Sequence, residues 1–238
     1  MQNILLTRSS NENQALIEEL KRWRFNCNTF SLPLISYNDL KFDCISIIAN
    51  YQNLIITSKH AAKILSSALL DLCDNYTNSI DVWVVGVESA NILSAVSIIN
   101  VRYIAQNVNA LLQHLPLQLY GNSIYLSGDI ITKELPNMIH RKIIYKIIYL
   151  QELSAEQNDF LINIRMNCIL LFSQNTAKSL NRIVQIYNLT QLKTTSVIAI
   201  SEKVANIAKR EFDDVICSHE PSATEMIKLL IRHAEKLF

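Results

Sequence analysis

The sequence predicts an α/β protein of two similar domains, each with a parallel sheet flanked by helices, joined by a two-stranded β connector with a cleft between them. Three observations lead there. Short apolar runs alternate with amphipathic segments along the chain, the pattern of strands covered on both faces and of the helices that cover them. One strand-loop-helix unit occurs twice, as DVWVVGVESANIL at 81–93 and TSVIAISEKVANIA at 195–208, with Ala90 and Ala205 standing 115 residues apart. A third stretch, NILLTRS from Asn3, resembles SIYLSGD from Ser123, about 120 residues later.

The offset of 115 also lays IITSKHAAKIL (55–65) over LLFSQNTAKSL (170–180), and more weakly YIAQNVNALLQHL (103–115) over SHEPSATEMIKLL (218–230). The first strand-helix-strand matches residues 123–149, which follow the first block rather than precede it. Residues 1–35 therefore complete the domain made by 150–238, and 36–149 form the other. The chain crosses twice, near 33–37 and 145–152.

Each element has a local reason. Residues 3–7 read as a buried strand; Ser9 with Glu12 suggests a capping box, and Leu16, Leu20 and Trp23 share one helix face. Strand 26–31 leads to the proline-stiffened 32–35, a short helix over 39–50, strand 54–57 and helix 60–70. In the central unit, Val82 to Val85 form the strand and Gly86 the sharp turn. Glu88 and Ser89 stand where they can satisfy free N–H groups, and the helix covers 90–98. Strand 101–105, helix 108–115 ended by Pro116, strand 123–126 and a helix over 132–140 follow. The β-branched stretch 143–152 carries Tyr145 and Tyr149, four residues apart. The second set is helix 155–164, strand 168–172, helix 177–187, strand 196–200, helix 204–211, strand 214–217 and helix 223–238.

Composition narrows the function. Half of the 238 residues are hydrophobic, enough for real cores, and a net charge of +1 argues against a nucleic-acid surface. The only glycines are Gly86, Gly121 and Gly128, which excludes a glycine-rich phosphate loop. The opening is too polar for a signal peptide, and no apolar run is long enough to span a membrane. Cys27, Cys44, Cys73, Cys168 and Cys217 make no CxxC pair and read as reduced thiols of a cytoplasmic protein, where the sequons at Asn75 and Asn188 carry no meaning. The five histidines lack metal-binding spacing, no GxSxG or GxGxxG occurs, and the basic run Arg141, Lys142, Lys146 reads as a solvated turn and strand edge.

In order along the chain, ILLTRS with LPLI, IITSKHA, VVGVESA, IYLSGD, LFSQNTAKSL and HEPSATEMIKLL resemble the blocks of the uroporphyrinogen-III synthase family: VTRP with LPLI, FTSANAV, VGxxTA, LLRGD, a second TS block and PTxEGLxxAL. The resemblance spans essentially the whole chain. It implies a cytoplasmic, monomeric lyase of tetrapyrrole (haem) biosynthesis that cyclises hydroxymethylbilane to uroporphyrinogen III. Water is lost through an azafulvene cation, and ring D inverts through a spiro intermediate. It implies no cofactor and no metal, and neither nucleic acid nor membrane as a partner. It allows hand-over of substrate from hydroxymethylbilane synthase. Unassisted closure gives no inversion, so catalysis is control of geometry. A cleft whose helix N-termini offer N–H groups to eight carboxylates suits that task.

Tyr149 aligns with the family's cleft tyrosine if the preceding loop is shorter here, and its phenol would donate to the departing hydroxyl; packing on the connector is the plain alternative, and Tyr145 competes for the role. The resemblance places substrate contacts at Arg8, Thr57, Ser58, Lys59, Gly86, Ser89, Ser127, Gly128, Ser173, Ser201 and Lys203. Ser89 could equally be a cap, and Arg8 a structural ion pair. Lys203 and Val204 replace the family's paired threonines, and Ser127 its LRGD arginine. These departures favour a second reading, a non-catalytic tetrapyrrole-binding or regulatory protein on the same frame, whereas the intact block order favours the enzyme.

Overall fold

The computed structural model describes residues 1–70 and 79–235. Cys73, the sequon at Asn75 and the last turn expected of the C-terminal helix lie outside the described residues. The chain divides into two compact units, 1–36 with 148–238, and 37–147.

The first unit is built on a five-stranded sheet. Its strands are β1 (Gln2–Leu6), β2 (Cys27–Ser31), β9 (Cys168–Leu171), β10 (Ser196–Ala199) and β11 (Val215–Cys217), in the order β11-β10-β9-β1-β2. All four pairings are parallel. Parallel pairing demands a crossover between strands, and helices supply it: α1 (Ser10–Arg22), α6 (Ala155–Asn163), α7 (Gln174–Ile186), α8 (Glu202–Ala208) and α9 (Ala223–Glu235). Helices on both faces explain why Ile4 to Leu6 of β1 and Cys168 to Leu171 of β9 read as unbroken apolar runs. Leu5, Ile169 and Leu171 face one apolar cluster with α7 and α8, while Ile4, Leu6 and Leu170 face the other with α1 and α9. Each fully buried Leu or Ile contributes about 2–3 kcal/mol by leaving water.

The second unit carries a six-stranded sheet in the order β3-β8-β7-β4-β5-β6. The strands are β3 (Ile35–Asp39), β4 (Asn53–Ile56), β5 (Ile80–Val85), β6 (Ile99–Ala105), β7 (Ser123–Gly128) and β8 (His140–Tyr149). The five from β8 to β6 pair in parallel. β3 runs antiparallel to β8, since Leu40 N–H donates to Ile144 O at 2.9 Å and Leu150 N–H to Leu34 O at 3.0 Å. The described helices are α2 (Cys44–Asn50), α3 (Lys59–Leu70), α4 (Val87–Ser94) and α5 (Val108–His114).

The internal offset recurs in these elements. β4 and β9, α3 and α7, α4 and α8, and α5 and α9 all begin 115 residues apart. The order β8-β7-β4-β5-β6 repeats as β2-β1-β9-β10-β11.

Several local expectations are corrected. Residues 132–140 are not helical: Pro136 interrupts the segment, which runs as turns into β8. The short helix expected over 39–50 is shorter, because β3 runs to Asp39 and Asp43 caps α2 by accepting from Ser46 N–H. α4 spans 87–94 instead of 90–98: Gly86, at φ 88, is itself its N-cap, and neither Glu88 nor Ser89 caps it. Ser9 is the N-cap of α1, but its side chain accepts from no backbone N–H of the helix; its hydroxyl donates to Glu12 Oε2 at 2.8 Å instead, so the capping box is absent there and forms at Ser154 and Gln157 of α6. Trp23 is exposed rather than continuing the face of Leu16 and Leu20, since α1 ends at Arg22. Cys27, Cys44, Cys168 and Cys217 are free thiols. Burial, reinforced by the Asp43 carboxylate, pushes Cys44 up to about 11, so it stays protonated and unreactive at neutral pH.

The buried Asn13 knits α1 to the sheet: its Oδ1 accepts from Arg8 N–H, and its Nδ2 donates to Leu6 O and to Ser31 Oγ. Asn13→Ala strands those groups away from water, and urea unfolding is expected to show a loss of about 2–3 kcal/mol.

Candidate functional site

In a parallel sheet every strand points its C-terminal end the same way, so the strand-to-helix turns collect at one edge. The sequence-predicted residues lie at those edges, in two separate sets.

In the second unit, Thr57, Ser58 and Lys59 follow β4, Gly86 follows β5, and Ser127 and Gly128 end β7. Ser58 Oγ accepts from Ala61 N–H at 3.1 Å, capping α3, and lies 3.0 Å from the Tyr145 phenol. Thr57 Oγ1 is 2.6 Å from the Tyr125 phenol. Both tyrosines are buried, and desolvation raises both phenols above their ordinary range, so they remain O–H groups. Lys59 Nζ pairs with Glu88 Oε2 at 2.6 Å. His60 Nε2 meets Asp39 Oδ1 at 2.6 Å, and its ring stacks on Tyr37 and meets the edge of Tyr145. Ser89 and Ser127 are buried, so neither opens to solvent. Ser127 Oγ instead accepts from Arg141 Nε at 2.9 Å, and Arg141 Nη2 donates to the carbonyls of Gly128 and Asp129. The guanidinium therefore lies where Ser127 has no charge of its own.

The Tyr145 ring packs directly on Gly128. A Cβ there would stand 2.6 Å from Tyr145 Cε2.

A concavity of about 400 Å³ opens at this edge, lined by Thr57, Val85, Gln106, Val108, Asn109 and Lys133, with Asn107 and Thr132 beside them. Asn107 Oδ1 accepts from Ala110 N–H and caps α5. Apart from Thr57, none of these residues was singled out from the sequence. The signal was the weak match of 103–115 to 218–230, which sets Asn107 over Ser222. Ser222 Oγ accepts from Glu225 N–H at 3.1 Å, the equivalent cap in the first unit.

In the first unit, Arg8 follows β1. It pairs with Glu12 and lies 4.7 Å over the Phe172 ring. Ser173 caps α7 by accepting from Thr176 N–H. Ser201 is the N-cap of α8 without a side-chain bond, and Lys203 is exposed in that helix's first turn while Val204 joins the core. Tyr149, at the end of β8, is half-buried, and its phenol oxygen accepts from Asn175 Nδ2 at 2.8 Å in the first turn of α7. Of the two competing tyrosines, Tyr145 is shut in and Tyr149 reaches solvent.

Among the described residues no three His, Cys, Asp or Glu side chains gather to hold a metal ion, and no helix is long and apolar enough to cross a membrane.

A family model described as uroporphyrinogen-III synthase HemD matches residues 24–228. An uncharacterized protein of Rickettsia prowazekii (strain Madrid E) is 35% identical, over 99% of this chain and 100% of its own. The uroporphyrinogen-III synthetase structure from Helicobacter pylori 26695 superposes with a TM-score of 0.62 at 16% identity, covering 98% of this chain and 100% of that one. A mutant uroporphyrinogen III synthase structure from the extremely thermophilic bacterium Thermus thermophilus gives 0.56 at 11% identity, covering 99% and 100%. At those identities the likeness to the two structures is one of fold.

The Gly128–Tyr145 contact makes a stability prediction. Gly128→Ala forces a buried ring to shift, and thermal or urea denaturation is expected to show a loss of about 1–3 kcal/mol.

Proposed function

Because the chain belongs to the uroporphyrinogen-III synthase family, we propose that it cyclises hydroxymethylbilane to uroporphyrinogen III with inversion of ring D and loss of water, as a cofactor-independent, monomeric lyase of the cytoplasm. The observation that carries this reading is the state of Tyr149. Its oxygen accepts from the Asn175 amide, so its own O–H is left to donate outward, and a phenol that accepts one hydrogen bond donates a stronger one. Donation to the terminal hydroxyl of the substrate lets that group leave as water; the cation that remains is stabilised by the electron-rich pyrrole itself.

The turn residues then hold the substrate. Arg8, Lys59 and Lys203 would meet carboxylates, and the turns at Thr57, Ser58, Gly86, Gly128, Ser173 and Ser201 would offer hydroxyl or backbone donors. Arg8 and Lys59 already rest against Glu12 and Glu88, so each would exchange a resident carboxylate for one of the substrate's. Ser89 and Ser127, being buried, would act from behind, Ser127 through Arg141.

The burial of Val204, where the resembled blocks have a hydroxyl, favours a second reading as a non-catalytic tetrapyrrole-binding protein. One experiment separates the two. Purified protein is coupled to hydroxymethylbilane synthase, the products are oxidised, and type III and type I uroporphyrin are separated. A type III excess that grows with added protein is expected; type I alone at every concentration sinks the enzyme reading. For Tyr149→Phe the rate of type III formation is expected to fall about 10²-fold, the usual scale of a positioned acid. Full activity in that variant removes the phenol from the mechanism.

A further inference from the structure

Among the described residues that line the concavity of the second unit, the charged one is Lys133, whose ammonium donates to the Asn109 amide oxygen. No carboxylate among the described residues forms a salt bridge with it, in contrast to Arg8 and Lys59, which rest against Glu12 and Glu88. A cation held only by a neutral amide is poised for exchange, since a carboxylate is the better acceptor.

The rest of the concavity tells what would carry that carboxylate. Val85 and Val108 present apolar surface, suited to the faces of a small flat ring. The amides of Gln106 and Asn109 can accept from a ring N–H or donate to a second anionic arm. The Thr57 hydroxyl is oriented by the buried Tyr125 phenol at 2.6 Å, so it is a fixed rather than a rotating partner.

Lys133 sits on a segment whose ends are pinned. At its start, Asp129 Oδ1 accepts from Ile130 N–H at 3.0 Å and from Ile147 N–H at 2.9 Å, and Arg141 donates to the carbonyls of Gly128 and Asp129. At its end Ile139 is buried, and its N–H donates to Pro136 O at 2.9 Å. The exposed Lys133 between them can move its ammonium by rotating its side chain, without unfolding the segment.

The geometry points to Lys133 as the residue that draws one carboxylate-bearing pyrrole ring into this concavity, with Asn109 holding the ammonium until a ring carboxylate replaces it. The inference rests on the proposed function and deepens it, assigning to the second unit a subsite for a single ring.

Porphobilinogen, a monopyrrole with two carboxylate arms, is the probe. In a heteronuclear NMR titration of the full chain, backbone amides of 106–109 and 132–133 are expected to shift together with one dissociation constant. Lys133→Gln is expected to weaken that constant about tenfold, the scale of one charge-assisted hydrogen bond, with Lys133→Arg restoring most of it. Lys63→Gln, which removes an exposed charge elsewhere on the same unit, should leave it unchanged. Unperturbed spectra outside the site show that the variants are folded. Shifts confined to other residues, or a constant for Lys133→Gln within twofold of the parent, overturn the subsite. A protein that makes only type I product yet gives this titration loses the enzyme reading and keeps the subsite; a type III producer indifferent to Lys133 does the reverse.

Discussion

Parallel pairing is the constraint from which the rest follows. Ladders such as β4 with β5 and β7, or β9 with β1 and β10, cannot be closed by hairpins, so a covering segment must return the chain to the far end of the sheet each time. Among the described residues of the second half those returns are helices, and each strand-to-helix turn falls at the same edge. Where both faces are covered, as at β4 and β9, the strand interiors are apolar, and polar side chains are left to the ends. The concentration of Thr, Ser, Asn and Lys at those ends is thus a product of burial before it is a product of chemistry.

The duplication applies this constraint twice with different chemistry. Ser58 and Ser173 cap their helices in the same way, through the N–H groups of Ala61 and Thr176. Gly86 and Ser201 both cap without a side-chain bond, yet only Gly86 needs the left-handed backbone. Divergence is concentrated in what surrounds the turns. The second unit stacks Tyr125 and Tyr145 behind Thr57 and Ser58 and anchors its last turn with Arg141; the first sets Arg8 over Phe172 and holds it with Glu12. One edge has donors backed by buried phenols, the other a cation already seated on an aromatic face.

The repeated elements were legible in the sequence wherever one local rule sufficed. Buried strands announced themselves as apolar runs, and the fixed offset tied the halves together. Errors fell where two local signals competed: Pro136 outweighed a helical composition in 132–140, and Ser9 with Glu12 had the letters of a capping box while Glu12 went to Arg8 instead. Ser89 carried the look of a site hydroxyl and is buried in α4. Lys133 gave no signal, and Gln106 and Asn109 only the weak match of 103–115 to 218–230, because they come together from the start of α5 with the turn before it and from the segment after β7, which are not neighbours in sequence.

The amino-acid order by itself determined the α/β class, the repeat, the strand cores and which turns would face the sheet edges, since these depend on burial and on contacts a few residues apart. Only the tertiary structure decided which hydroxyls are spent as caps, that Arg141 stands in at Ser127, and that Tyr145 is enclosed while Tyr149 is not. Those outcomes depend on which side chains meet across strands distant in sequence, and no local preference of a single segment encodes that meeting.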